Sequence, residues 1–516
     1  MPNRRQFFSS AFAVAAASML PRRRAWSRDA PRFPDDPFTL GVASGYPTEG
    51  SVVLWTRLAP TPAAPGGGMT PSVVPVQWEL AADERMRTTV GSGTSYASPD
   101  WAHSVHVEVD GLAAGREYWY RFTCGNARSI VGRTRTAAGV GTPLGRLKLA
   151  VASCQHYEHG FYTAYRHMLA DDLDLIVHVG DYIYELSYGA NLVRRQGAQE
   201  AYTLDDYRAL HALYKTDPDL IAAHAAYPWL LIWDDHDVDN DYSGAYSEED
   251  DDPEWFLARR ACAYRAYYEH MPLPRRAVPF GSSMRLYAQR SFGDLATLYL
   301  LDQRQYRSPE ACPPLGRRGG NRVSDCAELD APDRTMLGAR QEAWAFAQLA
   351  ASRTRWNLIA QGTLMAHLNE AAGPKPRYWT DAWNGYPVAR ARLIDFLAER
   401  QIRNPVVLSG DIHAFVVSGI NRVASDLGTP VVAAEFCGTS VSSHALPQEI
   451  FDGWRALNPN LLLARSDCRG YLRLDLTRDQ LRTDLIAMDS VLEPHAPRHT
   501  LASFTVENGK PVPVRS

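Results

Sequence analysis

Five apolar runs break an otherwise mixed chain: LKLAVASC (147–154), LDLIVHVGD (173–181), WLLIWDDHD (229–237), WNLIAQG (356–362) and VVLSGDIH (406–413). Their apolar cores show little alternation, the pattern of strands covered on both faces. Between them lie stretches with helical periodicity. Residues 159–172 predict one helix, with Phe161, Tyr165, Met168 and Leu169 on its apolar face. Residues 204–228 predict two, broken at Asp217-Pro218, and 254–271, 336–352 and 388–401 predict three more. Strands alternating with helices indicate an α/β body with parallel strands. In such sheets, ligands gather beyond the carboxyl ends of the strands. Four of the five runs end on residues able to bind metal: Cys154, Asp181, Asp235 with His236, and Asp411 with His413. The pattern therefore predicts one rim where distant residues meet around cations.

Residues 38–137 carry a different pattern. Short, partly alternating segments at 51–58, 74–80, 104–112, 117–124 and 128–136 are separated by turn-rich pieces such as PTPAAPGGGMTPS. That spacing predicts an all-β sandwich of immunoglobulin or fibronectin-III type. The linker 137–145 follows, then the α/β body over 146–490 and a C-terminal tail over 491–516.

Composition narrows the class. The chain has 516 residues and a net charge of −4. That balance carries no signature of nucleic-acid binding. The acidic run SEEDDD (247–252) reads as a solvated loop. At the N-terminus, Arg4-Arg5-Gln6-Phe7-Phe8 precedes the small apolar stretch 9–20. A twin arginine before a weakly hydrophobic segment reads as a Tat export signal over residues 1–30. It implies passage through the Tat translocon to the periplasm or beyond, with no transmembrane span in the mature protein. Cys312 and Cys326 flank a Pro/Gly/Arg-rich loop, and export allows them to pair. With seven cysteines at least one thiol stays free, and Cys154 is the candidate.

The residue types at the rim point to metal chemistry. Asp181 follows Gly180, and its two oxygens can bridge two cations. Tyr184 lies three residues on. Asp234-Asp235-His236-Asp237 sets three carboxylates and an imidazole side by side, and such carboxylates repel one another without a cation. Asn240 and Asp241 add oxygen donors. Cys154 is a good ligand once a metal removes its proton.

Together these segments resemble a metallophosphoesterase with altered motifs. Ser153-Cys154-Gln155 stands where Asp-x-His is usual, Asp234–Asp237 where Gly-Asn-His-Glu is usual, and Gly410-Asp411-Ile412-His413 closes the set. With GVASGYPTEGSVVLWTRL (41–58), HVGDYIYE (178–185), LDQRQYR (301–307), DAWNGYPVAR (381–390) and EFCGTSVSS (435–443), the chain resembles the PhoD-like alkaline phosphatase/phosphodiesterase family. The resemblance implies a metallophosphoesterase-like body of β-sandwich layers flanked by helices. It implies an exported hydrolase of phosphate mono- and diesters, acting on small phosphoesters or phospholipid headgroups with a ferric ion and two calcium ions. By motif match, Cys154, Asp181 and Tyr184 would hold iron, with Asp411 or its neighbour. Asp181, Asp235, Asn240 and Asp411 would serve calcium, and His413 is a ligand or stands behind one. His236, beside Asp235, would contact the phosphate or the leaving group. Arg304 and Arg307 read as structural ion pairs before phosphate clamps. Asn384 stands where the family often has aspartate.

Overall fold

The computed structural model describes residues 31–197 and 199–516. The export signal expected over residues 1–30 lies outside the described residues. Two mixed sheets form the body. The larger runs, in spatial order, Lys510–Arg515, Arg498–Glu507, Gln480–Met488, Arg469–Thr477, Arg146–Ala152, Leu175–His178, Pro228–Leu231, Val42–Gly45, Val52–Arg57 and Ser104–Val109. The smaller runs Ala288–Phe292, Ala296–Leu300, Trp356–Ala360, Pro405–Ser409, Val431–Cys437, Phe415–Asn421 and Leu461–Arg465. All five expected apolar runs are strands, with every residue buried in the four centred on Ile176, Leu230, Leu358 and Val407. Leu149, Val151 and Leu472 of one sheet share a single core with Leu298, Leu358 and Leu408 of the other. The result is a two-sheet sandwich, as expected.

Helices cover the outer faces. Gly338–Ala351 and Pro387–Glu399 pack on Tyr299, Ile359 and Val407 of the smaller sheet. The expected break at Asp217-Pro218 is a helix start: Asp217 accepts from the backbone N–H groups of Asp219 and Leu220, and Pro218 occupies the first turn of Pro218–Ala226. Asp252, the last residue of the acidic run, likewise caps Pro253–His270.

Two domain boundaries and one helix differ from expectation: the helix expected over 159–172 is confined to Thr163–Met168, with Leu169 exposed beyond its end. Residues 491–516 are not a tail, because Arg498–Glu507 and Lys510–Arg515 are the last two strands of the larger sheet. The β region is not separated by its linker alone. Val42–Gly45 pairs in parallel with Pro228–Leu231, so three N-terminal strands extend the larger sheet. Their other face packs on a five-stranded sheet that begins with Val74–Ala81, through Leu54, Val76, Val107 and Tyr120. The acidic run is also less free than a solvated loop. Glu248 and Asp250 pair with Arg317 and Arg318 of the Pro/Gly/Arg-rich loop, which the Cys312–Cys326 disulfide closes.

Candidate metal centre

The rim forms because each strand ends in a sharp turn. Cys154, Asp181, Asp411 and His413 all adopt positive φ, between 55° and 66°. Side chains there cost on the order of 1–2 kcal/mol each, and such strain concentrates at functional sites. Gly180, at φ 120°, allows the close approach of the next loop, since a Cβ there would collide with Asp234. Gly362 ends the fifth run and carries no ligand, but a side chain on it would strike the Asp234 carboxylate. The turns are tied together. Cys154 and Gln155 donate backbone N–H bonds to the carbonyls of Gly180 and Asp181, and Val441 donates to Ser153. Asp237 accepts from the N–H groups of Asp181, Tyr182 and Asp234 at 3.0–3.1 Å. It is the clamp between two ligand loops.

Two donor groups result. Donor atoms of Cys154, Asp181 and His413 lie within 4.8 Å of one another, and so do those of Asp181, Asp234 and Asp235. Asp181 belongs to both. The Tyr184 hydroxyl sits beside the first group, 3.0 Å from Asp181 Oδ2 and 3.1 Å from His413 Nε2, and accepts from Ser443 at 2.8 Å. His413 Nδ1 is hydrogen-bonded to the His444 carbonyl, which leaves Nε2 as the ligand nitrogen. Burial, then Arg469, lowers the His413 pKa to about 3, so the ring is neutral.

The electrostatics ask for cations. Burial first, then neighbouring carboxylates, pushes Asp181, Asp411 and Asp241 well above the usual carboxylate range. Burial takes Asp234 to about 7 against the pull of Arg304. Cys154 and Tyr184 are raised by burial and then by Asp181. Asp181 Oδ1, Asp234 Oδ2 and Asp235 Oδ1 are buried without hydrogen-bond partners among the described residues. Buried anionic oxygens without donors fit metal ions. Thiol, phenol and imidazole suit a transition metal, whereas the carboxylate group suits a hard divalent cation.

Arg304 lies under the carboxylates. It pairs with Asp234, with Asp381 at 2.6 Å, Asp235 at 3.4 Å and Asp411 at 3.7 Å. Arg307 is buried against Asp381 and Glu310. Both arginines are structural, as expected. His236 donates from Nδ1 to Glu185 at 2.8 Å and packs against the Tyr184 ring at a 36° tilt, with centroids 4.3 Å apart. Burial opposes its protonation, but Glu185, Asp235 and Asp181 together hold its pKa well above the ordinary value.

The N-terminal β region and the body that carries this constellation both have counterparts. Residues 149–485 match the family model of the PhoD-like phosphatases, and residues 24–138 match the model of the PhoD-like phosphatase N-terminal domain. Alkaline phosphatase D of Bacillus subtilis (strain 168) is 45% identical over 488 residues, which cover 93% of this chain and 82% of that protein. The chain belongs to the PhoD-like phosphatase family. A solved structure described as the structure of PhoD agrees in fold, with a TM-score of 0.89 and 43% identity over 94% of this chain and 93% of that one. A phosphoesterase function follows from this kinship.

Within this PhoD-like site, the residues expected from sequence take different positions. Cys154, Asp181, Tyr184, Asp235 and His413 come together. Asp411 stands at the edge, outside both donor groups but close to Arg304. Asn240 sends its backbone N–H to Glu185 and its amide nitrogen to Glu248. Asn384 is bound through its amide nitrogen to the Ala366 carbonyl, a bond aspartate could not donate. Sequence reasoning passed over Glu185, Ser443 and Asp381 as partners, and it named Asp234 without selecting it as a ligand. The signal for Glu185 was its place four residues after Asp181 in GDYIYE, but its partner lies 51 residues away.

Proposed function

We propose that the chain is an exported, metal-dependent alkaline phosphatase that cleaves phosphate mono- and diesters at this rim. The observation that carries the reading is the sharing of Asp181 between a thiol–imidazole group and a carboxylate group. Cys154, Asp181, Tyr184 and His413 would hold ferric iron. Asp181, Asp234 and Asp235 would hold calcium. Asp411 and Asn240, whose Oδ1 makes no hydrogen bond among the described residues, would add donors for a second calcium ion. When bound, these cations supply Lewis acidity, acidifying water and neutralising charge on the phosphoryl oxygens.

The protein's own groups do the rest. Glu185 fixes His236 with Nδ1 engaged, so Nε2 is the nitrogen offered to substrate. The protonated ring donates to the departing ester oxygen. Tyr184, packed on His236, fixes the plane of that ring. Arg304 holds Asp234 and Asp235 in place, and Asp237 holds the Asp181 loop. The twin-arginine segment and the Cys312–Cys326 bond support an oxidising destination after Tat export.

The test is a panel of p-nitrophenyl phosphate, its bis-ester and phosphatidylcholine, assayed before and after chelation. The first two are cleaved, chelation stops both, and iron with calcium restores them. Protein loaded with iron is coloured by tyrosinate-to-iron charge transfer, and Tyr184→Phe bleaches it. A colourless, iron-free protein of full activity refutes the iron assignment.

Glu185→Gln tests the acid. Loss of the carboxylate lowers the His236 pKa, so protonated His236 is lost at lower pH. The alkaline limb of the pH–rate profile therefore moves down, and kcat falls about 10–100-fold, less than the roughly 10²–10⁴-fold of a deleted general acid because His236 itself remains. An unmoved limb would remove His236 from the acid role.

A further inference from the structure

Tyr188 is a half-buried residue beside Tyr184 and His236, with no part in the hydrolysis proposed for them. Its ring is held from three sides. His156 and His159 meet it edge to face, with centroids at 4.8 and 5.0 Å and interplanar angles of 88° and 90°. The Tyr184 ring lies 5.9 Å away. The backbone is fixed as well, because His159 Nε2 is hydrogen-bonded to the Tyr188 carbonyl at 2.9 Å. Gly189 then turns at φ 89°, and a Cβ there would come within 2.9 Å of the same nitrogen. Behind the ring, His156, His159 and His444 form a stack with centroids 3.8 Å apart, reaching from the buried site to exposed His444.

This scaffold points the ring at a defined place. Tyr188 lies nearly parallel to His236, with an interplanar angle of 16° and centroids 6.0 Å apart. The Tyr188 hydroxyl makes no hydrogen bond among the described residues. His236 is the group that meets the departing ester oxygen in the function proposed above, so whatever that oxygen carries must leave past Tyr188.

We propose that Tyr188 is a specificity-determining residue: its ring walls the subsite for the alcohol portion of the ester and favours flat aromatic alcohols over small polar ones. Its rigidity is what makes the preference effective. An immobilised ring loses no rotamer freedom when a second ring packs against it. Aromatic pairs gain attraction beyond area burial when stacked or edge to face. A glycerol-sized alcohol offers no π face and gains little there. This inference rests on the assignment of His236 to the leaving group.

The test compares p-nitrophenyl phosphate with glycerol phosphate on metal-loaded wild type, Tyr188→Ala, Tyr188→Leu and Tyr188→Phe. The ratio of kcat/KM, aryl over alkyl, should fall about 3–10-fold in the alanine and leucine variants, mostly through KM for the aryl ester. Tyr188→Phe should keep the ratio within about twofold of wild type, since the ring survives. Leucine retains bulk and serves if the alanine variant does not fold. An unchanged ratio in alanine or leucine overturns the inference, as does an equal loss on both esters, which is what a merely structural role would give. Wild type inert on both esters would instead overturn the phosphatase reading itself.

Discussion

Asp181→Asn should remove catalysis and, in the metal-free protein, raise stability. The first effect follows from its position in both donor groups. Losing an outer partner of a metal ligand already costs about 10–100-fold in affinity or activity, so losing a shared ligand should cost more than about 100-fold. The second effect has the opposite sign for a physical reason. Burial and Asp235 raise the Asp181 pKa, so its ionised form is disfavoured in the folded, metal-free protein. The stability it contributes is present below the unfolded carboxylate pKa and is lost as pH rises through the folded value. Asparagine keeps the shape and removes the charge. Without metal, Asp181→Asn should therefore melt higher than wild type, with the gap widening as pH rises above the ordinary carboxylate range. With metals bound, the order should reverse. Melting curves over pH, with and without chelator, measure both. A variant that melts below wild type under both conditions would contradict the shared-cation account.

Arg304→Met should be among the most damaging single changes. The guanidinium is fully buried and faces Asp234, Asp235, Asp381 and Asp411. Breaking a buried pair by removing one partner leaves an unpaired interior charge, at about 3–5 kcal/mol. Here several carboxylates lose their common cation at once, so that range is a lower bound. Calcium offers a check specific to this site. If the carboxylates are metal ligands, added calcium should recover part of the deficit and stabilise Arg304→Met more than wild type. Arg304→Lys should recover little, because an ammonium cannot reproduce the guanidinium fork across Asp234 and Asp381. Denaturant unfolding of the three proteins with and without calcium tests this. Arg304→Met within about 1 kcal/mol of wild type, the scale of an exposed ion pair, would show that the buried pairing is unimportant.

Much of the site was legible in the chain because buried strands announce their ends. The runs ending at Cys154, Asp181, Asp235 and Asp411 are apolar until the last residues, where polar groups appear at once. What was not legible depended on side-chain direction after the turn. Asp234 and Asp237 are near neighbours of the same type, yet one faces Arg304 and the Asp181 carboxylate while the other accepts backbone N–H bonds. Only the path of the turn distinguishes them. Glu185 closes the HVGDYIYE motif without a role of its own in the chain's pattern, because that role depends on His236 in another loop. The C-terminal strands were hidden by charge. Arg469–Thr477 and Gln480–Met488 carry Arg473, Asp475, Arg482 and Asp484 on one face; Arg473 pairs across to Asp484 and with Asp171, Asp475 pairs with Arg146, and Arg482 pairs with Asp484 along its own strand. The following Arg498–Glu507 shares this mixed pattern, with buried Ala502, Phe504 and Val506 alternating with the polar Ser503, Thr505 and Glu507, so it read as a tail.

The most direct measurement is anomalous diffraction from crystals of the purified protein, collected on both sides of the iron absorption edge. The account predicts an iron peak bonded to Cys154 and Asp181, with Tyr184 and His413 around it, and a lighter cation sharing Asp181 with Asp234 and Asp235. Density showing no cation at Asp181, or iron bound away from Cys154, would contradict it.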